Sequence, residues 1–168
     1  MVQKFNLYAA YTKSIGISNN YIAARLGNTS MNRDGKMRNG LFPENSYGQS
    51  GTALFLDGGA KLSSTLNFGH GHSLNIGGGY ELKAPNARDA FICPEKMNDF
   101  VHNLKNEKIA SAELTYGLNN SWLQMTLTGY FSYKYDGTEW SCFYDDNESS
   151  FVYVSSQNIT KRNYGAEL

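Results

Sequence analysis

Residues Lys108–Asp136, KIASAELTYGLNNSWLQMTLTGYFSYKYD, decide the fold of this chain. Apolar and polar residues alternate on both sides of the polar corner 119–122, and a period of two is typical of β-strands. The second half alternates from Leu123 to Tyr135, which at about 3.3 Å per residue and a tilt near 45° rises about 30 Å. Strands of soluble proteins average about 5 to 6 residues. This stretch therefore predicts a β-hairpin as tall as the apolar band of a transmembrane barrel, about 25 Å.

The composition of the 168 residues favours β structure in one domain covering 1–168. The chain contains 17 Gly, 12 Tyr and 9 Phe but only 3 Pro, which suits strands. No apolar run approaches the roughly 18 residues of a membrane helix, so a membrane protein of this composition must be a barrel. The balance of 15 basic and 15 acidic residues gives no reason to expect nucleic acid as a partner. Asn6 interrupts the first apolar stretch, which is not a signal peptide, and we expect an internal fragment of an exported protein.

The same alternation predicts the other strands. Residues 3–26 favour one long strand, although a turn at Ser14–Ser18 would divide it into two. The remaining predicted strands cover residues 53–66, 74–82, 151–155 and 164–168, which makes seven strands with the hairpin. Long polar loops at 28–51, 86–107 and 137–149 alternate with short corners at 69–72, 119–122 and 156–160. Because transmembrane barrels alternate short turns and long loops, the predicted fold is all-β: an open, antiparallel segment of a larger transmembrane β-barrel.

Charged residues in the strands between Ala53 and Tyr135 all lie opposite the apolar positions. A lysine or arginine facing lipid at mid-bilayer costs about 2 to 4 kcal/mol, so a barrel must sort its charges in this way. The candidates for a water-filled lumen are Asp57, Lys61, Glu81, Lys83, Glu113 and Lys134. Lys13 and Arg25 break the rule: either they snorkel above the membrane or the alternation changes phase near Gly16. A soluble sandwich also excludes charge from its core, so a secreted carbohydrate-binding β-sandwich is the alternative.

Four ordered motifs resemble those of a known family. They are a strand ending in Tyr80–Pro85, a strand entry at Asn103–Lys108, the Glu-x-x-Tyr of Glu113–Tyr116 and the Gly-x-Glu opening within Lys161–Glu167. Together they make residues 50–168 similar to the TonB-dependent outer-membrane receptors, in particular those of Bacteroidetes-type bacteria. The chain departs from that pattern at two positions: Lys83 stands where arginine is commoner, and Asn158 where glycine is often found.

The resemblance implies a ligand-gated importer in the bacterial outer membrane, with a plugged barrel of about 22 strands. Its ligand would be a large molecule such as an iron chelate, cobalamin, haem or a glycan. The implied partners are outer-membrane lipid, this ligand and the TonB complex. The plug domain that contacts TonB and the signal peptide have no counterpart in this sequence, so we expect the fragment alone not to perform energised transport.

No arrangement of residues predicts an enzyme, a cofactor or a metal site. His70 and His72 supply only part of a coordination shell and favour a solvated turn, and residues 145–148 favour a solvated acidic tip over a calcium loop. Cys93 and Cys142 lie in two long loops on the same predicted side, so an extracellular disulfide is a further prediction. Sequons would support the alternative sandwich in a eukaryotic secretory setting, and they occur at Asn28, Asn119, Asn147 and Asn158.

Overall fold

The computed structural model describes residues 1–33, 51–86, 97–99, 105–147 and 149–168. These residues form one sheet of seven long antiparallel strands and a three-residue strand, β5, that pairs in parallel with β8. The strands are β1 (Val2–Ile15), β2 (Ser18–Arg33), β3 (Gly51–Gly69), β4 (His72–Lys83), β5 (Met97–Asp99), β6 (Glu107–Asn119), β7 (Gln124–Asp145) and β8 (Ser150–Glu167). Their order across the sheet is β1-β2-β3-β4-β6-β7-β8-β5. Within the described residues there is no helix of the length and apolarity that crossing a membrane requires.

The first predicted strand, residues 3–26, is wrong: a tight turn divides it into β1 and β2. Ile15 pairs with Ser18, so Gly16 and Ile17 form a two-residue hairpin turn. Gly16 has a φ of +57°, and a glycine at the first central position is the signature of a type II′ turn. The Ser18 hydroxyl donates to the Ile15 carbonyl at 2.9 Å and closes the turn. The turn signal is therefore a single glycine between two isoleucines.

The predicted corners at 69–72 and 119–122 are confirmed. His70 and Gly71 form the β3–β4 turn with φ values of 51° and 84°, as a type I′ turn requires. The β6–β7 turn is organised by Asn120, whose side-chain oxygen accepts from the Leu123 amide at 2.8 Å. Ala84 follows the last residue of β4, where the sequence predicted that strand to end.

The predicted loop at 137–149 and the predicted corner at 156–160 are wrong, because residues 137–145 and 156–160 lie inside long strands. β7 continues to Asp145 and β8 runs unbroken to Glu167, leaving a short turn after Asp145. The register slips by one residue at Gly137 and slips back before Glu139. Asp136 and Asn158, with φ values of 54° and 68°, are the extra residues of two compensating bulges. The polar stretches that suggested a loop and a corner thus contain or adjoin bulges in continuous strands.

The two other predicted loops are only partly described. Residues 28–33 belong to β2 and not to a loop. Residues 97–99 form β5, and residue 107 begins β6. Residues 34–50, 87–96 and 100–104 lie outside the described part of the chain. The prediction of about seven long strands is confirmed, because the extra strand near the N-terminus offsets the one lost near the C-terminus.

The strands are staggered as in a tilted barrel wall. One row of paired residues crosses the sheet through Lys13, Asn20, Ser64, Ile76, Leu114, Gly129 and Ala166. The turn midpoint lies about 3.5 residues beyond this row in the β1–β2 hairpin, about 6 in the β3–β4 hairpin and about 7.5 in the β6–β7 hairpin. This shift of about 4 residues, or about 13 Å, across four strand spacings of about 4.8 Å gives a tilt of about 35°. Transmembrane barrels tilt their strands by about 35 to 45°.

No second layer covers the apolar face of the described sheet. Leu56, Leu114 and Leu127 are 70%, 50% and 45% exposed, whereas a sandwich would bury them between two sheets. The sandwich alternative is therefore wrong, and the fold is an open segment of a transmembrane β-barrel wall. We call the end of the sheet with the turns at residues 16–17, 70–71 and 120–123 the turn end, and the opposite end the loop end.

Candidate lumen-facing site

All six predicted lumen residues lie on one face of the sheet, which we call the polar face. Directly paired residues of an antiparallel ladder share a face. Lys61 pairs with Gly79, Glu81 with Ile109, and Ile109 with Lys134. Alternation along each strand then adds the remaining members, Asp57, Lys83 and Glu113. The face assignment made from the sequence is thus confirmed for these strands, while their exposure to a lumen stays a prediction.

Arg25, an exception in the sequence, belongs to the polar face. The β1–β2 turn changes the phase, and Arg25 Nη2 lies 2.7 Å from Glu81 Oε1. Arg25 Nη1 donates to Asn6 Oδ1 at 2.9 Å, which ties three strands together. Lys13, the other exception, stays on the apolar face, about 3.5 residues from the midpoint of its turn. The two exceptions thus have different causes.

A second ion pair on the polar face includes a residue that the sequence analysis missed. Lys134 Nζ lies 2.9 Å from Glu107 Oε1, and Glu107 is only 5% exposed. The Thr138 amide donates to the same oxygen at 3.0 Å. Lys161 pairs with Glu139 across the two bulges. The sequence placed Glu107 in a loop and Lys161 between a corner and the next strand, so an earlier start of β6 and an unbroken β8 would have been needed to find them.

Asp57 is the most heavily bonded carboxylate of the polar face. It is 5% exposed and accepts from the Thr29 hydroxyl and from the Ala84 amide at 2.6 Å. Asn106 Nδ2 donates to the Leu56 carbonyl at 2.9 Å and lies 3.5 Å from Asp57 Oδ1. We call this set, Thr29, Asp57, Ala84 and Asn106, the Asp57 clamp. Because Ala84 follows β4 and Asn106 precedes β6, the clamp holds both roots of the segment that joins these strands.

A small hydrophobic cluster lies beside the Asp57 clamp. Met31, Phe55 and Ala84 are its buried members, and Pro85 is also fully buried. Met31 and Phe55 share the polar face with Asp57, so the chain that leaves β4 folds over this face at the loop end. Two of the family-like motifs, the one ending in Ala84-Pro85 and the one containing Asn106-Glu107, therefore lie close together here. The residue types of these two motifs have a structural reason, because they bury the two ends of the segment that joins β4 and β6.

On the apolar face of the described strands, lysine and arginine occur only near the two ends. Lys108 lies 2.6 Å from Asp136 and 5.2 Å from the Tyr135 ring centre, and Arg162 lies 5.4 Å from that of Tyr133. Lys108 is about 13.5 residues from its turn and Lys13 about 3.5. At about 2.7 Å of axial rise per tilted residue, the two lysines lie about 27 Å apart along the axis. That separation matches the thickness of the hydrocarbon core of a membrane. Tyrosine side chains lie beside the cations near the loop end, as the aromatic girdles at membrane interfaces require.

The other candidate residues of the sequence form no further site within the described ranges. His72 Nδ1 lies 2.6 Å from the Tyr116 hydroxyl, and no three His, Cys, Asp or Glu residues of the described part come close enough to hold a metal. The Asn147 amide donates to Asp145 Oδ1 at 2.9 Å within the short β7–β8 turn. Cys142 is exposed on β7 and Cys93 lies outside the described residues, so their disulfide stays a prediction.

These features define an open wall segment of a transmembrane β-barrel. Among solved structures, the fold is similar to that of a copper transporter, OprC, with a TM-score of 0.73 over 98% of this chain at 16% sequence identity. The match covers 25% of that transporter, so this chain spans about a quarter of its length. No protein-family model matches the chain, and no curated protein matches it. The likeness shows the fold, and the similar protein is a transporter.

Proposed function

We propose that this chain is part of the barrel wall of a TonB-dependent importer in the outer membrane of a Gram-negative bacterium. The observation that carries the proposal is the sorting of charge across a single-layer sheet. Ion pairs cross the polar face, while the apolar face exposes leucine, isoleucine and tyrosine and keeps its cations near the two ends. A sheet with water on both sides would gain nothing from this separation.

The polar face would then line the lumen with alternating charge. Arg25–Glu81 and Lys134–Glu107 neutralise each other, whereas Lys61 and Glu113 are exposed and have no ion-pair partner within the described residues. Exposed groups of both signs suit a large polar ligand with many hydrogen-bonding atoms, such as an iron chelate, cobalamin, haem or a glycan. Energy would come from the TonB complex through a plug region outside this sequence.

The Asp57 clamp would hold the two described ends of the segment between β4 and β6 on the lumen side of the wall. Ala84 and Asn106 are fixed against β3 by side chains of the polar face, so this segment leaves the wall on the lumen side. Loops that start on the inner side of a barrel narrow its mouth, and that is where a receptor selects its ligand. The clamp is thus a positioning device for the entrance.

The rate at which introduced cysteines react with a water-soluble reagent tests which face of the sheet meets water. In the full chain folded into phospholipid bilayers, with Cys93 and Cys142 replaced by serine, single cysteines are introduced by Lys61→Cys, Glu113→Cys, Leu62→Cys and Leu114→Cys. We expect a charged, water-soluble thiol reagent to label the first two at least tenfold faster than the last two. The pairs are matched, because each polar-face position is next to an apolar-face position on the same strand. Equal or reversed rates would overturn the proposal.

A further inference from the structure

The apolar face contains a groove close to the turn end. Its volume is about 700 Å³, and its lining includes Tyr11, Lys13, Ile22, Leu62, Ser64 and Gly78. Ile22 pairs with Leu62, and Leu62 pairs with Gly78, so these residues form one row on the apolar face. The groove exists because small side chains lie between large ones: Ser64 and Gly78 are flanked by isoleucine and leucine on three strands.

Lys13 gives this groove a charged rim. It lies on the apolar face about 3.5 residues from the midpoint of the β1–β2 turn, which is about 9 Å along the barrel axis. Gly78 lies about 8 residues from the β3–β4 turn, or about 12 Å deeper in the apolar band. Lys108, the cation at the opposite level, pairs with Asp136. Lys13 has no ion-pair partner within the described residues, so its charge is available to a ligand.

We propose that the groove binds one acyl chain of a glycerophospholipid of the periplasmic leaflet, with the lipid phosphate on the Lys13 ammonium. The proposal rests on the proposed function, because it requires the apolar face to lie in a membrane. A lysine stem runs along apolar surface while its charged end reaches the interface, and a cation near the surface attracts anionic headgroups by about 1 kcal/mol. The apolar channel and the rim charge together match the tail and the phosphate of one molecule.

A photoactivatable lipid tests this assignment. The full chain is folded into bilayers of phosphatidylethanolamine and phosphatidylglycerol that contain a phosphatidylglycerol with a diazirine in its acyl chain, and cross-linked residues are mapped by mass spectrometry. We expect labelling at Ile22 and Leu62 to exceed labelling at the equally apolar Leu26 and Leu56 at least threefold. Ser64→Leu, which fills the groove, should abolish this excess, while Ser132→Leu on the polar face of β7, away from the groove lining, should preserve it. Asn20→Leu is a second filling variant on another strand.

Lys13→Gln tests the phosphate contact separately. It should reduce the groove labelling by phosphatidylglycerol at least threefold, while Lys4→Gln, the same change on the polar face of the same strand, should leave it unchanged. Uniform labelling of the apolar face, labelling that is insensitive to Ser64→Leu and Asn20→Leu, or labelling that is insensitive to Lys13→Gln would each overturn the inference. Absence of lipid labelling from the whole apolar face, Leu56 included, would instead mean that the proposed membrane function has failed.

Discussion

The two ends of the sheet are held by different kinds of contact. At the loop end, buried side chains hold the backbone: Asp57 binds the Ala84 amide and Glu107 binds the Thr138 amide. At the turn end, backbone groups join neighbouring turns: the Asn119 amide donates to the Gly71 carbonyl at 2.9 Å, and the Asn67 amide donates to the Ile17 carbonyl at the same distance. One end therefore depends on buried carboxylates and the other on glycine geometry.

The difference follows from what each end connects. A tight turn needs residues that adopt its φ values, such as Gly16 and Gly71, or a local side-chain acceptor such as Asn120. Strands that open into long segments leave amides without ladder partners, and a buried amide without a partner costs about 1 to 3 kcal/mol. Carboxylates supply those partners at the loop end. Each end should therefore be sensitive to a different class of substitution.

The largest effect is expected from Asp57→Ala, which removes the centre of the Asp57 clamp. The Ala84 amide and the Thr29 hydroxyl would both lose a buried partner, so we expect the free energy of unfolding to fall by about 3 to 4 kcal/mol. Urea unfolding of the full chain in phospholipid bilayers measures this loss. Lys61→Ala, on the same strand and face but exposed, should change stability by less than about 0.5 kcal/mol. Equal effects would mean that the clamp does not hold the loop end.

A somewhat smaller effect is expected at the turn end, where two glycines of one turn provide a matched pair. Gly69 and Gly71 have similar φ values, +82° and +84°, so alanine at either position is strained by about 1 to 2 kcal/mol. At Gly71 a Cβ would also overlap the Asn119 carbonyl of the neighbouring turn, whereas at Gly69 it would meet open space. We expect Gly71→Ala to destabilise the chain by about 1 kcal/mol more than Gly69→Ala in the same unfolding assay. Identical losses would show that the turns do not contact each other.

Much of the sheet could be predicted from its sequence where alternation is uninterrupted. From Ala53 to Tyr135 the long strands, the two corners and the faces of the six charged residues were correct, because an apolar face opposes a polar one and a one-residue error would reverse both. Two features of this range were missed: Lys108 lies on the apolar face, and β5 lies inside a predicted loop. The errors occur where a local signal has two meanings. The residues after Asp136 suggested a loop and those around Asn158 a corner, but Asp136 and Asn158 occupy bulges in continuous strands. Gly16 gave too weak a turn signal although its positive φ divides the first strand.

The polar face could be predicted only in part for a related reason. Periodicity gives the direction of a side chain, so the six charged residues were placed together correctly. Periodicity does not identify the partner of a side chain. Arg25 and Glu81 are 56 residues apart in the sequence and come together only through the register of the paired strands. The Asp57 clamp was not predicted either, since its donors are a hydroxyl, a backbone amide and an asparagine that lie far apart in the sequence and meet only in the folded sheet.

The smallest expected effect has the opposite sign and concerns Thr138, beside the buried Glu107. Thr138 is 2% exposed, and its hydroxyl oxygen has no hydrogen-bond partner within the described residues. A buried polar atom without a partner is unfavourable, and replacing it with an apolar group of the same shape is neutral or stabilising. We therefore expect Thr138→Val to raise the free energy of unfolding by about 1 kcal/mol. Thr128→Val is the control, because the Thr128 hydroxyl bonds to that of Thr115 at 3.1 Å, and its loss should destabilise by a similar amount. If the Thr138→Val variant is instead destabilised, this hydroxyl must have a water partner at the loop end. The side-chain hydrogen bonds at that end would then include water as well as protein groups.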